Sequence, residues 1–150
     1  MPQSFASLHV HIVFSTKSRA PLIASDLAPR LYEYLGGILR AHGSVLVAAG
    51  GMPDHVHLLC SFGREISVAE ALRVIKANSS RWIHETFPNQ RGFAWQAGYG
   101  AFAVSYSNLP TVKRYLAQQA EHHRVRTFQE EFLALLRRHN LRFDESHLWD

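Results

Sequence analysis

The sequence predicts an α+β fold: an antiparallel sheet of the ferredoxin-like or RNA-recognition-like type, with helices packed on one face and further helices at the C-terminal end. Three observations predict it. Strand-like and helix-like segments follow one another in the order β-α-β-β-α-β. Both helix-like segments carry apolar residues at helical spacing, so each has one face to bury. More helix-like sequence follows the last strand.

The first half of the chain contains a strand, a helix and two further strands. Residues 8–14 are β-prone and lead into a basic loop. Residues from about 26 to 42 predict the first helix, which the following glycine ends. Residues 45–49 predict the second strand, closed by a glycine pair, and residues 53–60 contain the third.

The second helix and the fourth strand come next. Residues 67–70, Ser-Val-Ala-Glu, form a capping box that opens the helix, and Phe87-Pro88 ends it. Residues 100–106 alternate weakly and predict the fourth strand, after a short strand near residues 93–95.

Two helices are predicted after the fourth strand. The first starts at residues 108–110, Asn-Leu-Pro, and runs to about residue 122. Residues 127–130, Thr-Phe-Gln-Glu, form another capping box. The short helix that it opens has Phe128, Phe132 and Leu135 on one face.

The composition is typical of one globular domain covering residues 1–150. Its hydrophobic content of 47% excludes a disordered chain. The single cysteine, Cys60, excludes an internal disulfide and predicts a buried thiol in a reducing compartment. The N-terminal residues lack the pattern of a signal peptide, and no apolar run reaches the roughly 18 residues that a membrane span needs. We therefore expect a cytoplasmic protein without a membrane partner.

The charge of the chain suits a polyanionic partner. Lysine and arginine together number 16 against 12 acidic residues, which gives a net charge of +4. Ten histidines can add positive charge at mildly acidic pH. Many basic proteins bind no nucleic acid, so this excess alone favours such a partner only slightly.

Two histidines, His55 and His57, lie two residues apart in the third predicted strand. Side chains alternate along a strand, so both imidazoles share one face and could bind one metal ion. A half-exposed strand with two structural histidines would have the same pattern, and His9 and His11 repeat the spacing. The second pair is favoured because the turn at residues 50–54 precedes it, and a residue at a strand start can face a cleft.

Tyr115 and Gln119 are four residues apart in the third predicted helix, which places them on one face. This spacing suits a phenol nucleophile with a third metal ligand, an amide oxygen, one turn away. Because the free phenol has a pKa of about 10, it needs a proton acceptor or a strongly polarised phosphate. A half-buried tyrosine beside a solvated amide is the alternative that the pattern leaves open.

Cationic and aromatic residues around these elements are candidates for nucleic-acid contacts. The cations predicted to contact phosphates are Lys17, Arg19, Arg73, Lys76, Arg81, Lys113 and Arg114. The aromatic residues predicted to stack on unpaired bases are Trp95, Tyr99 and Phe102. Solvated helix faces and core aromatics are the alternatives for each one. His122 and His123 are expected to have a structural role at a helix C-terminus, with phosphate contact as the alternative.

These motifs together resemble the HUH single-tyrosine transposases of small bacterial insertion sequences. The similar segments span nearly the whole chain and are residues 10–19, 52–59, 75–80, 95–102, 115–123 and 143–149. A His-Val-His pair alone is a weak signal. Its combination with the Tyr-x-x-x-Gln helix and the Gly-Tyr-Gly-Ala-Phe segment, in this order, is specific.

The resemblance implies a single HUH transposase domain that cuts and rejoins single-stranded DNA at the ends of a mobile element and recognises DNA hairpins. By this resemblance, Tyr115 is the nucleophile that forms a 5′-phosphotyrosine. His55, His57 and Gln119 match the ligands of a divalent ion, Mg²⁺ or Mn²⁺. The family works as homodimers in which the tyrosine helix can complete the site of the other subunit. No small-molecule cofactor is implied.

Three alternatives stay open from the sequence. A domesticated relative that acts on scattered genomic repeats would carry the same residues. A non-catalytic module could bind single-stranded nucleic acid through aromatic residues, with the histidine pair in a structural role. A small metal hydrolase could use bound water as its nucleophile. Only a strand transferase forms a covalent protein–DNA adduct, so this product separates it from the last two.

Overall fold

A four-stranded antiparallel sheet organises the chain. The computed structural model describes residues 2–150. The strands are β1 (His9–Ser15), β2 (Val45–Met52), β3 (His55–Ser61) and β4 (Gly100–Val104). The helices are α1 (Leu27–Ala41), α2 (Val68–Thr86), α3 (Leu109–Ala117), α4 (Gln119–His122) and α5 (Phe128–Arg138).

The strand order in the sheet is β2-β3-β1-β4, and every neighbouring pair is antiparallel. The connection from β1 through α1 to β2 therefore skips one position, which β3 fills. This is the split βαβ arrangement of ferredoxin-like folds. The predicted α+β class is confirmed.

One face of the sheet packs against α1 and α2. Its strand residues include Ile12, Phe14, Val56 and Leu58, all fully buried. The two helices supply leucine and isoleucine side chains at helical spacing to the same cluster. Burial of apolar surface on this face is the main stabilising contribution to the domain.

The opposite face is covered by the C-terminal helices. Val13 and Phe102 pack against α5, while Leu59 packs against Leu109 and Leu116 of α3. The predicted C-terminal helices thus make the sheet the middle layer of three. The side chains of β3 alternate between the two faces, and those that point towards α3–α5 include both His55 and His57.

Two local features differ from the prediction. Strand β2 continues through Gly50 and Gly51 instead of ending before them. A Cβ atom at Gly50 would overlap the carbonyl oxygen of Leu116 and lie 2.8 Å from its carbonyl carbon, so glycine permits the close approach of α3. The predicted strand near residues 93–95 is a single bridge between Thr16 and Trp95.

Both predicted helix-capping segments begin helices, but they are not equivalent. The Thr127 hydroxyl accepts the Glu130 amide, and the Glu130 carboxylate accepts the Thr127 amide, which completes a capping box. The Ser67 hydroxyl accepts the Glu70 amide, but the Glu70 carboxylate pairs with Arg73 instead. The start of α2 is therefore capped from one side only.

Cys60 lies fully buried in β3 and forms no disulfide. Burial raises the pKa of its thiol to about 12, so the side chain packs as a small apolar group. Among residues 2–150, none of the helices is long and apolar enough to cross a membrane.

Candidate metal and nucleophile site

Strand β3 positions the histidine pair. His55 and His57 are fully buried, and their ring centroids lie 5.1 Å apart. His57 lies opposite Val13 on one neighbouring strand and Gly50 on the other, close to the centre of the sheet. The strand therefore holds both rings on the face that the C-terminal helices cover, as the alternation of the sequence predicts.

Tyr115 and Gln119 do not belong to one continuous helix. Helix α3 ends at Ala117, Gln118 has φ −108° and ψ 25°, and α4 begins at Gln119. The Tyr115 carbonyl oxygen accepts the Gln118 amide at 3.3 Å and the Gln119 side-chain amide at 3.4 Å. Because of these contacts, the chain makes a tight turn at Gln118, and α3 does not continue into α4 as one helix. Gln119 is nevertheless buried beside the histidines, with its Oε1 3.2 Å from His55 Nε2.

Glu131 lies at the centre of the site, although the sequence analysis did not select it. Its Oε1 is 2.9 Å from His57 Nε2 and 3.5 Å from His55 Nε2. Its Oε2 accepts hydrogen bonds from the Tyr115 hydroxyl and, at 3.3 Å, from the Gln119 amide. One carboxylate therefore joins the candidate metal ligands to the candidate nucleophile.

His123 is the second residue that the sequence analysis missed. Its Nε2 lies 3.0 Å from Gln119 Oε1 and 3.1 Å from Glu131 Oε1. His123 does lie at a helix C-terminus, as the cap of α4, but its side chain also enters the group around Glu131. Its neighbour His122 is half-buried, and its Nε2 lies 3.6 Å from Glu131 Oε2.

A signal for Glu131 was present in the sequence. Glu131 stands three residues after Phe128 and four before Leu135, so it falls within the apolar stripe of the last helix. A carboxylate on a buried face requires compensating partners. The capping box one residue earlier drew attention to Glu130, whose carboxylate caps the helix in solvent.

The histidines of the site also have partners on the outer side of each ring. His55 Nδ1 lies 2.7 Å from Asp54 Oδ1, and His57 Nδ1 lies 2.8 Å from His11 Nε2. His11, whose spacing from His9 matches that of the candidate pair, thus supports His57 from the neighbouring strand. Contacts to the outer ring nitrogen fix the orientation of an imidazole.

The electrostatics of the site follow from burial and these contacts. Burial lowers the pKa of His55, but its hydrogen bonds with Asp54 and Glu131 outweigh burial and raise that pKa to about 9. Burial and the neighbouring His57 lower the pKa of His11 to about 3, so this ring is neutral. Burial raises the pKa of Glu131, yet the hydrogen bonds from three histidines hold it well below its usual range.

The Tyr115 phenol is neutral in this arrangement. Burial and the hydrogen bond to the Glu131 carboxylate both raise its pKa. The hydroxyl therefore needs assistance to act as a nucleophile at neutral pH. A divalent cation is the kind of group that the surrounding side chains can hold.

The donor set fits a metal ion. One ligand atom each from His55, His57, His123 and Glu131 lie within 4.8 Å of one another. Imidazole nitrogens and a carboxylate oxygen are common ligands of divalent metals. Gln119 adds an amide oxygen at the edge of the same group.

The predicted nucleic-acid contacts divide into residues beside the site and residues on α2. Lys113 and Arg114 are exposed on α3 and directly precede Tyr115 in the chain. Lys17 is exposed in the turn after β1, and the Arg19 guanidinium lies 5.5 Å from the Trp149 ring centroid. Lys17 and Arg19 thus follow β1, and Lys113 and Arg114 belong to the helix that carries Tyr115.

The α2 residues lie on the other layer of the fold. Arg73 pairs with Glu70, and Arg81 donates to Asn78, both at the surface. Lys76 Nζ donates to three backbone carbonyls, those of residues 96, 97 and 98, at 2.9, 3.2 and 2.7 Å. Its ammonium also lies 5.5 Å from the Tyr99 ring centroid. Through these hydrogen bonds, Lys76 of α2 holds residues 96–98, which precede the exposed Tyr99, against the helix.

Two of the three aromatic residues expected to stack on bases are core residues instead. Trp95 is 9% exposed, packs between Phe14 and Phe93, and donates its indole N–H to Ser79 at 2.9 Å. Phe102 is 2% exposed and packs against α5. For these two residues the expectation was wrong, because both side chains fill the apolar layers of the sheet.

An open cleft of about 580 Å³ lies beside His123. Arg19, Arg124 and Arg126 line it, with Asp54 and Glu130 as acidic members of the same wall. A smaller cavity of about 190 Å³ lies against Tyr115. Arg126 lines this second cavity as well as the cleft, so its side chain lies between the two openings.

Comparison with known proteins places this geometry in a family. A sequence model described as "Transposase IS200 like" matches residues 4–119, which contain His55, His57, Tyr115 and Gln119. The ISDra2 transposase TnpA of Deinococcus radiodurans is 25% identical over 117 residues. That match covers 75% of this chain and 84% of the relative.

Two solved structures resemble the fold. The crystal structure of a candidate transposase from Deinococcus radiodurans R1 has a TM-score of 0.65 and 26% identity, and the match covers 79% of this chain and 98% of that one. The structure of a REP-associated tyrosine transposase bound to a REP hairpin has a TM-score of 0.61 and 13% identity, covering 82% and 73%. The chain belongs to the IS200-like family of tyrosine transposases, as its motifs predict.

Proposed function

We propose that this transposase cleaves and rejoins single-stranded DNA at the ends of a mobile element, through a 5′-phosphotyrosine on Tyr115. The observation that carries the proposal is the Glu131 carboxylate. One of its oxygens contacts His57 and His123, and the other accepts the Tyr115 hydroxyl. The proposed nucleophile and the proposed metal ligands thereby lie side by side in one chain.

The proposed chemistry exchanges one ester bond for another. The Tyr115 phenol loses its proton as its oxygen bonds to phosphorus, while the bond from phosphorus to the 3′ oxygen breaks and that oxygen gains a proton. The phosphodiester energy stays in the phosphotyrosine. Attack by a 3′-hydroxyl on the phosphotyrosine then rejoins strands without ATP.

A divalent ion, Mg²⁺ or Mn²⁺, is part of the proposal. His55, His57 and Gln119 would hold it, and when bound it supplies a Lewis acid that polarises the scissile phosphate. The other side chains of the site position the reacting groups. Glu131 fixes the position of the phenol, and Asp54 and His11 fix the rings of His55 and His57.

The proposed substrate is single-stranded DNA with hairpin ends. A related fold has been solved with a REP hairpin bound, which supports this class of ligand. The cleft beside His123 and the cavity against Tyr115 both carry arginine side chains, as a route for a phosphate backbone requires. We propose DNA contacts by the residues predicted for this role: Lys17, Arg19, Arg73, Lys76, Arg81, Tyr99, Lys113 and Arg114.

We further propose that residues 1–150 act as one transposase domain, that the protein works in the cytoplasm, and that it forms a homodimer. Tyr115 contacts Glu131 of its own chain, and its ring centroid lies 5.6 Å from that of His57. These contacts support a site that each chain of the proposed homodimer completes by itself.

The test is formation of a covalent adduct. Labelled single-stranded DNA carrying the hairpin ends of the host element is incubated with the protein and Mg²⁺ or Mn²⁺, then separated on a denaturing gel. We expect a metal-dependent protein–DNA band that Tyr115→Phe abolishes while hairpin binding persists. Tyr106→Phe is a matched control, because Tyr106 is an exposed tyrosine outside the site.

Other products would contradict the proposal in distinct ways. Cleavage without an adduct would indicate a hydrolase, and binding without cleavage would indicate a binding module. Mixing Tyr115→Phe chains with His57→Ala chains tests the composition of the site. We expect no recovery of adduct, because recovery would require a tyrosine and a histidine from different chains.

A further inference from the structure

We propose that His123 and Glu131 are metal ligands together with His55 and His57, and that this four-ligand site selects a transition-metal ion over Mg²⁺. The inference rests on the proposed function and deepens it, since it names the ligands and the class of ion at the same site. Both added residues lie beyond residues 4–119, where the family sequence model matches.

The spacing of the ligand atoms supports a shared ion. In a tetrahedral zinc site with metal–ligand bonds of about 2.0–2.1 Å, neighbouring ligand atoms lie about 3.3–3.4 Å apart. Glu131 Oε1 is 2.9, 3.1 and 3.5 Å from the Nε2 atoms of His57, His123 and His55. Small adjustments of side chains would place these four atoms around one ion.

Each ring presents the same nitrogen to the centre. All three histidines direct Nε2 inward, and each Nδ1 has a partner outside the group. The outer partners are the Asp54 carboxylate at 2.7 Å, His11 Nε2 at 2.8 Å and the Arg126 carbonyl oxygen at 2.8 Å. A proton on each Nδ1 satisfies these partners and leaves the Nε2 lone pair for a metal. Such outer partners orient and strengthen metal-binding histidines.

Burial makes this group of side chains a closed site. The side chains of His55 and His57 are 0% exposed, that of Glu131 is 1% and that of His123 is 7%. A buried carboxylate is costly unless a positive charge or several donors compensate it. The histidine rings, the Tyr115 hydroxyl and the Gln119 amide compensate Glu131 here, and a divalent ion among these four residues would take over the part of the histidine Nε2 protons.

The donor types determine which ion is preferred. Magnesium favours oxygen ligands and usually retains several waters, whereas imidazole suits transition metals. Three nitrogens and one carboxylate oxygen in a closed site match Zn²⁺ or Mn²⁺ better than Mg²⁺. Gln119 Oε1, 3.0 Å from His123 Nε2, can serve as a further oxygen ligand for an ion of higher coordination number.

The test measures metal binding directly and needs no DNA. The full chain is stripped with a chelator and titrated separately with ZnCl₂, MnCl₂ and MgCl₂, with metal content determined after dialysis. We expect one equivalent of zinc or manganese per chain and at least 100-fold weaker binding of magnesium. Cobalt substitution gives a spectroscopic readout, since visible absorption reports nitrogen and oxygen ligation.

Variants identify the ligands. We expect Glu131→Gln and His123→Ala each to weaken zinc binding by at least 100-fold and to alter the cobalt spectrum. Glu130→Gln is the matched control, because Glu130 is the neighbouring carboxylate and glutamine also serves a capping box. Far-UV circular dichroism confirms that each variant is folded, and the two ligand variants provide independent tests.

Two results would overturn the inference: zinc affinity unchanged in both folded ligand variants, or magnesium bound as tightly as zinc and manganese. Tyr106→Phe, at an exposed tyrosine outside the site, should bind zinc like the unsubstituted chain. If the protein binds zinc but never forms a DNA adduct, the proposed function fails while the metal site stands.

Discussion

Strand β3 is buried on both faces of the sheet, but the two faces differ in chemistry. Towards α1 and α2, β3 presents Val56, Leu58 and Cys60, which belong to the main hydrophobic cluster. Towards α3–α5, the same strand presents His55, His57 and Leu59. Alternate residues of one strand thus belong either to a hydrophobic core or to a polar site.

The difference shows how the fold separates stability from function. The apolar face needs only volume and shape, so many sequences can satisfy it. The polar face requires a partner for each buried donor and acceptor, and Glu131 provides it for several at once. The site is therefore held by specific contacts, while most of the hydrophobic stabilisation comes from the opposite face.

Adjacent leucines on the two faces provide the largest expected effect. Leu58 and Leu59 are both fully buried, so Leu58→Ala and Leu59→Ala should each lower the free energy of unfolding by about 2–5 kcal/mol. Only Leu59 packs against α3, which carries Tyr115. We expect Leu59→Ala alone to slow adduct formation, measured well below the unfolding temperature of each variant.

Denaturant unfolding and adduct kinetics on the same preparations test this comparison. Equal adduct rates for the two variants would mean that the packing of α3 does not control the position of Tyr115. A stability loss below about 1 kcal/mol at either position would contradict close packing on that face.

The sequence predicted the parts of the site that depend on local spacing. The alternation of β3 placed His55 and His57 on one face, and the helix start near Asn108 placed Tyr115 in a helix. The sequence could not predict contacts between residues that are far apart in the chain. Glu131 is 74 residues from His57 in the chain, and only the packing of α5 across the sheet brings them together.

The break at Gln118 was missed for a different reason. Residues 112–119 have ordinary helical propensity, so local preference favours continuation. Tertiary contacts override this local preference, because Gln119 is buried between His55 and Glu131. Its side-chain amide also donates a hydrogen bond to the Tyr115 carbonyl oxygen. The aromatic residues Trp95 and Phe102 were misplaced because exposure cannot be read from residue type alone.

The close approach of β2 and α3 permits a sharper test of the polar face. A Cβ at Gly50 would overlap the Leu116 carbonyl oxygen, and both contacting groups are backbone, so Gly50→Ala must displace α3. We expect the adduct rate to fall by about 10²-fold, the effect of a misplacement of about 1 Å in a reacting group. The measurement is single-turnover adduct formation at saturating metal and DNA.

Hairpin binding through the proposed contacts on α2 and the turn after β1 should persist in this variant, whereas Lys113 and Arg114 move with α3. A Gly50→Ala chain with an unchanged adduct rate would show that the site does not depend on the fit between β2 and α3.

The smallest expected effect is on the apolar side, at Gly37 of α1. A Cβ at Gly37 would meet only the tip of the Arg40 side chain, at 3.7 Å, and the residue lies inside a regular helix. Alanine reduces the conformational freedom of the unfolded chain, so Gly37→Ala should raise the free energy of unfolding by about 0.4–1 kcal/mol. Adduct formation should be unchanged, because α1 packs on the face of the sheet away from Tyr115.

The Gly37 and Gly50 variants together test whether the two faces can be altered independently. They can if Gly37→Ala raises stability without changing the adduct rate while Gly50→Ala lowers that rate. A slower adduct rate in Gly37→Ala would instead show that the helices of the apolar face transmit strain through the sheet to the site.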